Sequence, residues 1–263
     1  MSKLTEAIAF TDVPYLEELR SYLPIDATDK EDVNTYLKNI TDSVLVNFGS
    51  EQYQFAYFGL HLLYMTYIYF SVRKISLMLP DRYQDAVVFA KPYHGQKLDF
   101  NNIESTFDYS LVAEKELPNI FKIIGLDDGQ IGKIGGLVEI RNDMAHANGR
   151  FTILNEDAFY AAANGICDSA RNIHIRMDAQ IRNWFKDFLL CFFNKDLEEY
   201  GDDMTDIIKE QMIQGFNLSV RELLVCNEMS VKALVFENTK FKDNLNKFKK
   251  TLKEYCEEQG CVT

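Results

Sequence analysis

The sequence predicts an all-α protein: a bundle of long helices followed by a small helical extension at the C-terminus. Apolar residues recur at helical spacing along most of the 263 residues. Only 13 glycines and 5 prolines interrupt them, so long helices are expected. We find no alternating apolar and polar runs joined by an Asn-Gly or Asp-Gly hairpin turn, and therefore predict no sheet.

The first two predicted helices differ in composition. The run Asp29–Asp32 places acids in the first turn of a helix that extends to about Phe48, where they face the positive end of the helix dipole. Residues 51–79 are expected to form one long helix, and positions 52–72 carry no formal charge. Such a run is long enough to cross a bilayer. Polar aromatic residues nevertheless occur through its whole length: Tyr53, Tyr57, His61, Tyr64, Tyr67 and Tyr69. We therefore predict a core helix and no membrane association.

The middle of the chain is expected to alternate between loops and helices. Residues 80–99 are polar and irregular, and helical spacing resumes over residues 101–124 with an interruption near Pro118. Asp127-Asp128 is suited to cap the N-terminus of the next helix. A further helix is expected over residues 155–193.

The chain changes character at residues 194–203, an acidic run with a glycine that is typical of a linker. The predicted domains are therefore residues 1–193 and residues 194–263, the second being a helical region of unknown role. Its helical patterns are Met204–Phe216, Ser219–Cys226, Ser230–Phe236 and the lysine-rich Phe241–Glu258.

The segment with the most chemical information is Glu139-Ile140-Arg141-Asn142-Asp143-Met144-Ala145-His146. Arg141 falls in a helical stripe of apolar residues, and it needs a partner there because an unpaired buried charge is costly. Arg141 and His146 lie about 140° apart around a helix, so one straight helix does not direct both at one atom. A second copy of the chain, or a helix end at Asn148-Gly149, would bring them together.

Arg141-Asn142-x-x-x-His146, late on a helix of an all-α domain, resembles the motif of HEPN ribonucleases, which include prokaryotic toxins, abortive-infection proteins and RNA-guided RNA-cleaving effectors. The resemblance covers about residues 30–185, mostly through the helix pattern. It implies a HEPN-like helical bundle and a homodimer whose two motifs form a composite active site. It also implies a metal-independent endoribonuclease that leaves a 2′,3′-cyclic phosphate. The implied setting is phage defence or a toxin–antitoxin pair, with an antitoxin or regulatory protein as a further partner.

The residue types suit this reaction. Histidine exchanges protons near neutral pH, so His146 is assigned proton transfer as base or acid. A guanidinium binds phosphoryl oxygens through two parallel hydrogen bonds, so Arg141 is assigned charge stabilisation. Asn142 is assigned positioning of the imidazole or the phosphate. The alternative is a non-catalytic HEPN-like module, in which Arg141 and His146 hold a dimer together or bind a nucleotide.

The net charge of −12 is the main observation against RNA as a partner, since proteins that bind the RNA backbone present basic faces. Five of the nine arginines nevertheless lie in the motif or soon after it. Three of them are expected to bind RNA phosphates: Arg150, Arg171 and Arg176. In the alternative interpretation, these arginines form ion pairs with neighbouring acids such as Asp168.

Cofactor chemistry has no support in the sequence. The five cysteines show no spacing typical of metal ligands, and no phosphate-binding glycine loop or zinc motif occurs. We therefore expect no cofactor and no metal. An odd number of cysteines without a signal peptide is typical of a reducing compartment, so a cytoplasmic location is expected.

Overall fold

The computed structural model describes residues 13–24, 31–88, 90, 92–93, 97–145, 152–193, 204–231 and 239–259. Within these ranges the chain is all-α, which confirms the predicted fold class. The one β-type pairing among the described residues is an isolated bridge between Pro92 and Val112.

Helices account for most of the described chain. The α-helices are α1 (Pro14–Arg20), α2 (Glu31–Gly49), α3 (Tyr53–Met78), α4 (Pro80–Val87), α5 (Asp128–Ala145), α6 (Glu156–Phe193), α7 (Met204–Asp206), α8 (Val220–Glu228) and α9 (Thr239–Glu258). Two 3₁₀ helices, Thr106–Leu111 and Leu117–Ile124, lie between α4 and α5. A π-helix, Ile207–Gly215, follows α7 directly.

The start of the stretch predicted to be irregular is helical, so the prediction was wrong for residues 80–87. Pro80 occupies the first turn of α4, where its missing N–H costs nothing, and Asp81 lies in the same turn. These are start signals, but α4 follows α3 after the single residue Leu79. A proline directly after a long helix is also a common signal for the end of that helix, and the sequence pattern alone does not separate the two cases.

The helix predicted over residues 101–124 is instead two short 3₁₀ helices, which is a second correction. Ser105 and Asp108 form a capping box around the first of them. Val112 then adopts an extended backbone conformation and pairs with Pro92. This pairing ends the helix and leaves residues 113–116 as a loop before the second 3₁₀ helix.

The described chain separates into two compact units. The first unit contains residues 1–20 and 30–175, and the second contains residues 21–29 and 176–263. The predicted linker at 194–203 lies outside the described residues, so the domain boundary proposed there stays a prediction.

Helix α3 is the centre of the first unit. It contacts α1, α2, α4, α5 and both 3₁₀ helices. It is also the one described helix with the length and composition to cross a membrane, but 83% of its most apolar 18-residue window is buried in the protein. Its tyrosines bind α6: Tyr64 and the Ser169 hydroxyl are 2.7 Å apart, and the Tyr67 hydroxyl donates to the Ala170 carbonyl at 3.0 Å. Its aromatic side chains therefore serve core packing, as predicted.

The second unit is built around aromatic side chains from the end of α6, the end of the π-helix and α9. Their rings pack with centroid distances between 4.5 and 6.5 Å, in the range where offset and edge contacts are favourable. The members are Trp184, Phe185, Phe188, Phe192, Phe193, Phe216 and Phe248.

A lysine of α9 caps the C-terminal end of α8. The Lys249 ammonium donates to the carbonyls of Cys226, Asn227 and Met229 at 2.9, 2.7 and 3.3 Å. These carbonyls lie at the negative end of the dipole of α8. The Cys226 carbonyl also accepts from the Met229 backbone N–H at 3.3 Å. Burial lowers the pKa of Lys249. This member of the lysine-rich helix is therefore a structural residue.

We expect Gly59→Ala to destabilise the first unit. A Cβ at position 59 would lie 2.8 Å from Val44 Cγ2 on α2, and a β-branched buried neighbour has little freedom to move. The expected loss is about 1–3 kcal/mol in the free energy of unfolding, measured by urea denaturation.

Gly132→Ala is the matched control, because no atom lies within 4 Å of a Cβ there. It should gain about 0.5–1 kcal/mol from helix propensity alone. Equal effects of the two substitutions would contradict the close approach of α2 and α3.

Candidate active site around Arg141

The helix that carries Arg141 begins with a reciprocal cap. The Asp127 carboxylate accepts from the Gln130 backbone N–H at 2.8 Å, and the Gln130 side-chain oxygen accepts from the Asp127 N–H at 3.1 Å. This arrangement satisfies two donors at the start of α5. Ile134 and Val138 are buried on the inner face, which confirms the predicted stripe and places Arg141 on it. Ala145 also falls at the spacing of this stripe, but it is exposed.

Arg141 finds the carboxylate partner that its position requires. Its Nη2 donates to Glu114 Oε2, with 19% and 20% of the two side chains exposed. Glu114 lies in the loop between the two 3₁₀ helices, so the ion pair ties this loop to α5. Arg141 Nε is buried and has no hydrogen-bond partner among the described residues. The guanidinium therefore has further capacity to donate.

A histidine of α3 lies beside this ion pair. The His61 side chain is fully buried, and its Nε2 is 3.9 Å from Glu114 Oε2, too far for a hydrogen bond. Neither ring nitrogen has a hydrogen-bond partner in the described chain. The ring lies between those of Tyr57 and Tyr64, at centroid distances of 6.4 and 6.0 Å. The Tyr57 hydroxyl is also buried without a partner.

Burial and neighbouring charges determine the protonation states of His61 and Glu114. Burial lowers the pKa of His61; the neighbouring Glu114 opposes this shift and Arg141 adds to it. Burial raises the pKa of Glu114, but its contacts with His61 and Arg141 outweigh burial and hold the pKa below its ordinary value. At neutral pH the cluster therefore contains a neutral imidazole, a carboxylate and a guanidinium.

The remaining predicted site residues are placed only in part. Asn142 is half-buried, and His146 and Arg150 lie outside the described residues. Arg171 binds both oxygens of Glu18 and one oxygen of Asp168, the carboxylate that the alternative interpretation named. Arg176 is exposed on α6. The structure thus brings Arg141 to Glu114 and Arg171 to Glu18.

Sequence reasoning missed His61 and Glu114 as members of this cluster. His61 was read only as one polar residue among many in α3. Glu114 precedes Arg141 by 27 positions and lies in a loop without a motif. The available signal was the requirement that a buried arginine have a partner, which predicts a carboxylate but not its position.

Comparison of the chain with models of known protein families, with curated proteins and with solved structures gives no match. The resemblance to HEPN ribonucleases therefore rests on Arg141, Asn142 and His146 together with the helix pattern.

The Arg141–Glu114 pair should show a strong coupling energy. Arg141→Met leaves a partly buried carboxylate without its cation, so we expect a loss of about 1–3 kcal/mol in the free energy of unfolding. Glu114→Gln should cost less, and the double variant should cost less than the sum of the two. Urea denaturation of the parent, the two single variants and the double variant at pH 7 measures the coupling energy between the two side chains.

The control for this cycle is the exposed pair Lys115–Glu139, whose nitrogen and oxygen are 2.6 Å apart. Solvent screens that pair, so Lys115→Met and Glu139→Gln should show no coupling above error. Strict additivity at positions 114 and 141 would mean that the buried contact contributes nothing.

His61 should make the protein sensitive to mild acid. Because its pKa is lower in the folded protein than the ordinary value of about 6.5, the unfolded chain takes up the proton first as the pH falls. The contribution of His61 to stability is complete above that value and is lost below it. His61→Phe keeps a buried ring and removes the titration. Between pH 8 and pH 5.5 the parent should lose more unfolding free energy than His61→Phe, and parallel curves would refute this.

Proposed function

We propose that the protein is a metal-independent endoribonuclease that uses Arg141, Asn142 and His146. The observation that carries the proposal is the state of Arg141. The side chain is partly exposed and donates to a carboxylate oxygen through Nη2, and its buried Nε has no hydrogen-bond partner among the described residues. A phosphate oxygen is an acceptor of the same kind as that carboxylate. Arg141 is thus held in a form that can exchange one anion for the other.

The proposed reaction is transfer of the phosphoryl group within the RNA strand. The 2′-oxygen forms a bond to phosphorus while the bond from phosphorus to the 5′-oxygen breaks, which leaves a 2′,3′-cyclic phosphate and a free 5′-hydroxyl. His146 takes the proton of the 2′-hydroxyl or supplies one to the leaving 5′-oxygen. Arg141 stabilises the charge that develops on the phosphoryl oxygens, and Asn142 positions the phosphate or the imidazole.

The proposal includes a homodimer. One straight helix does not direct Arg141 and His146 at the same phosphate, whereas the motif of a second copy can supply the missing side chain. RNA phosphates on either side would bind Arg150, Arg171 and Arg176. For Arg171 this again means exchange of a carboxylate, that of Glu18, for a phosphate. The proposed setting is cytoplasmic, as a toxin or phage-defence effector held inactive by an antitoxin or another regulatory protein.

A second function is favoured by one specific observation. Arg141 has an internal partner, and that partner also lies beside the buried His61. The same contacts serve a non-catalytic module in which Arg141 stabilises the fold and the chain acts as a dimer or binds a nucleotide. The net charge of −12 agrees with this alternative.

The two functions are separated by incubation of total RNA with the protein in EDTA, followed by analysis of the product ends. We expect the parent to cleave and to leave 2′,3′-cyclic phosphates. His146→Ala should lower the rate about 10²–10⁴-fold, the range for loss of a general acid or base. Circular dichroism and size-exclusion chromatography verify that the variant keeps its fold and dimer.

Glu114→Gln is the matched variant, since it removes the competing charge from Arg141 and leaves the motif intact. The endoribonuclease predicts unchanged or faster cleavage by Glu114→Gln. Cleavage that persists in His146→Ala, or that requires a divalent metal, would rule out the assigned mechanism. Absence of cleavage in the parent and in Glu114→Gln would favour the non-catalytic module.

A further inference from the structure

A groove in the first unit lies between α5 and the first half of α6. Its volume is about 400 Å³, within the range of pockets that hold small organic molecules. Leu126, Leu137 and Ile140 give it a largely apolar wall. Polar side chains that line it are Gln130, Lys133, Asp168, Ser169 and Asn172. The Asp168 carboxylate already accepts hydrogen bonds from Arg171 and from the Asn164 amide.

Two glycines keep this groove open. No atom lies within 4 Å of a Cβ built at Gly136, and a Cβ at Gly165 on the opposite helix would already touch Leu137 Cδ2 at 3.4 Å. A glycine inside a helix costs about 1 kcal/mol relative to alanine. Packing within the described chain does not require a glycine at position 136, and a larger side chain there would occupy the groove.

The polar groups at the groove provide a donor, an acceptor and a cation. The Gln130 side-chain oxygen is committed to the cap of α5, which leaves its amide N–H₂ for a ligand. Asn172 donates to the Asp168 carbonyl at 2.8 Å and keeps its side-chain oxygen for a ligand. Lys133 forms no ion pair within the described chain. A flat apolar ring with a hydrogen-bonding edge, attached to an anion, matches these three groups.

One residue that lines the groove is connected to the Arg141 cluster through a series of contacts. Ser169 shares a 2.7 Å hydrogen bond with Tyr64, whose ring lies 6.0 Å from that of His61. His61 in turn lies beside Glu114, the partner of Arg141. Ile140 in the groove wall is also the residue directly before Arg141. The groove wall and the arginine proposed to bind phosphate therefore lie at adjacent positions of α5.

We propose that this groove binds a nucleobase of the RNA substrate, next to the phosphate held by Arg141. The base lies against the apolar wall with its edge toward Gln130 and Asn172, and Lys133 binds the phosphate of a neighbouring nucleotide. The inference rests on the proposed ribonuclease function for the identity of its ligand. It gives the enzyme a preference for the base beside the cleaved bond.

The test measures binding of a fluorescent single-stranded 2′-O-methyl RNA to the full chain by anisotropy. The methyl group prevents attack by the 2′-oxygen, so binding is observed without cleavage. Gly136→Leu fills the groove and improves helix propensity. It should weaken binding about tenfold or more, corresponding to loss of one stacked base.

Gly132→Leu is the matched control on the same helix, since a side chain there also meets no neighbour and does not line the groove. It should leave the dissociation constant within about twofold of the parent, well below the energy of one base contact. Gln130→Glu is a second variant that keeps the helix cap, replaces the donor by an acceptor, and should also weaken binding.

Equal binding by the parent, Gly136→Leu and Gln130→Glu would overturn the inference, as would failure of the parent to bind the RNA. A change of oligomeric state in Gly136→Leu at unchanged RNA affinity would assign the groove to a second copy of the chain instead. Cleavage that depends on His146 but not on Gly136 would refute this inference alone. Groove-dependent binding without cleavage by the parent would refute the proposed ribonuclease and retain the nucleotide site.

Discussion

The contact between Arg141 and Glu114 is the constraint on which the organisation of the first unit depends. Helix α5 places a guanidinium on its inner face, against a core helix most of whose residues are buried. A charge at that place requires a counter-charge, because neither water nor the apolar neighbours of α5 replace the lost solvation. The loop between the two 3₁₀ helices supplies it. The ion pair therefore holds that loop against α5.

The hydrogen-bonding groups around the Arg141–Glu114 contact are only partly satisfied. This distinguishes the contact from an ordinary structural ion pair. Within the part of the chain that the structure describes, both ring nitrogens of His61 and one polar atom each of Tyr57 and Arg141 have no hydrogen-bond partner. Buried polar groups are almost always hydrogen-bonded in folded proteins. Unpartnered groups concentrated around one ion pair mark a place where stability is given up. Sites that bind or transform a ligand are where such losses are expected.

The sequence predicted the helices whose apolar pattern is long and regular. Helices α2, α3, α6 and α9 agree with the expected spans to within a few residues, because burial on one face, or all round in α3, determines their periodicity. The 3₁₀ helices were missed because their termination depends on the pairing of Val112 with Pro92, a contact distant in sequence. For the candidate site, the pattern predicted that Arg141 is buried and needs a partner. It did not predict Glu114 or His61, since both positions are set by tertiary packing.

Helix α5 has a glycine-rich sequence that disfavours the helical conformation it adopts. Among its 18 residues are Gly129, Gly132, Gly135 and Gly136, which together lower its intrinsic helix propensity by about 4 kcal/mol relative to alanine. Such a segment stays helical only while it is docked on α3 and held by its cap and by Glu114. Local unfolding should therefore begin in α5, and its amide protons should exchange with solvent before those of α3. The proposed phosphate-binding arginine lies on this helix, so local opening of α5 would allow exchange of its anionic partner without unfolding of α3.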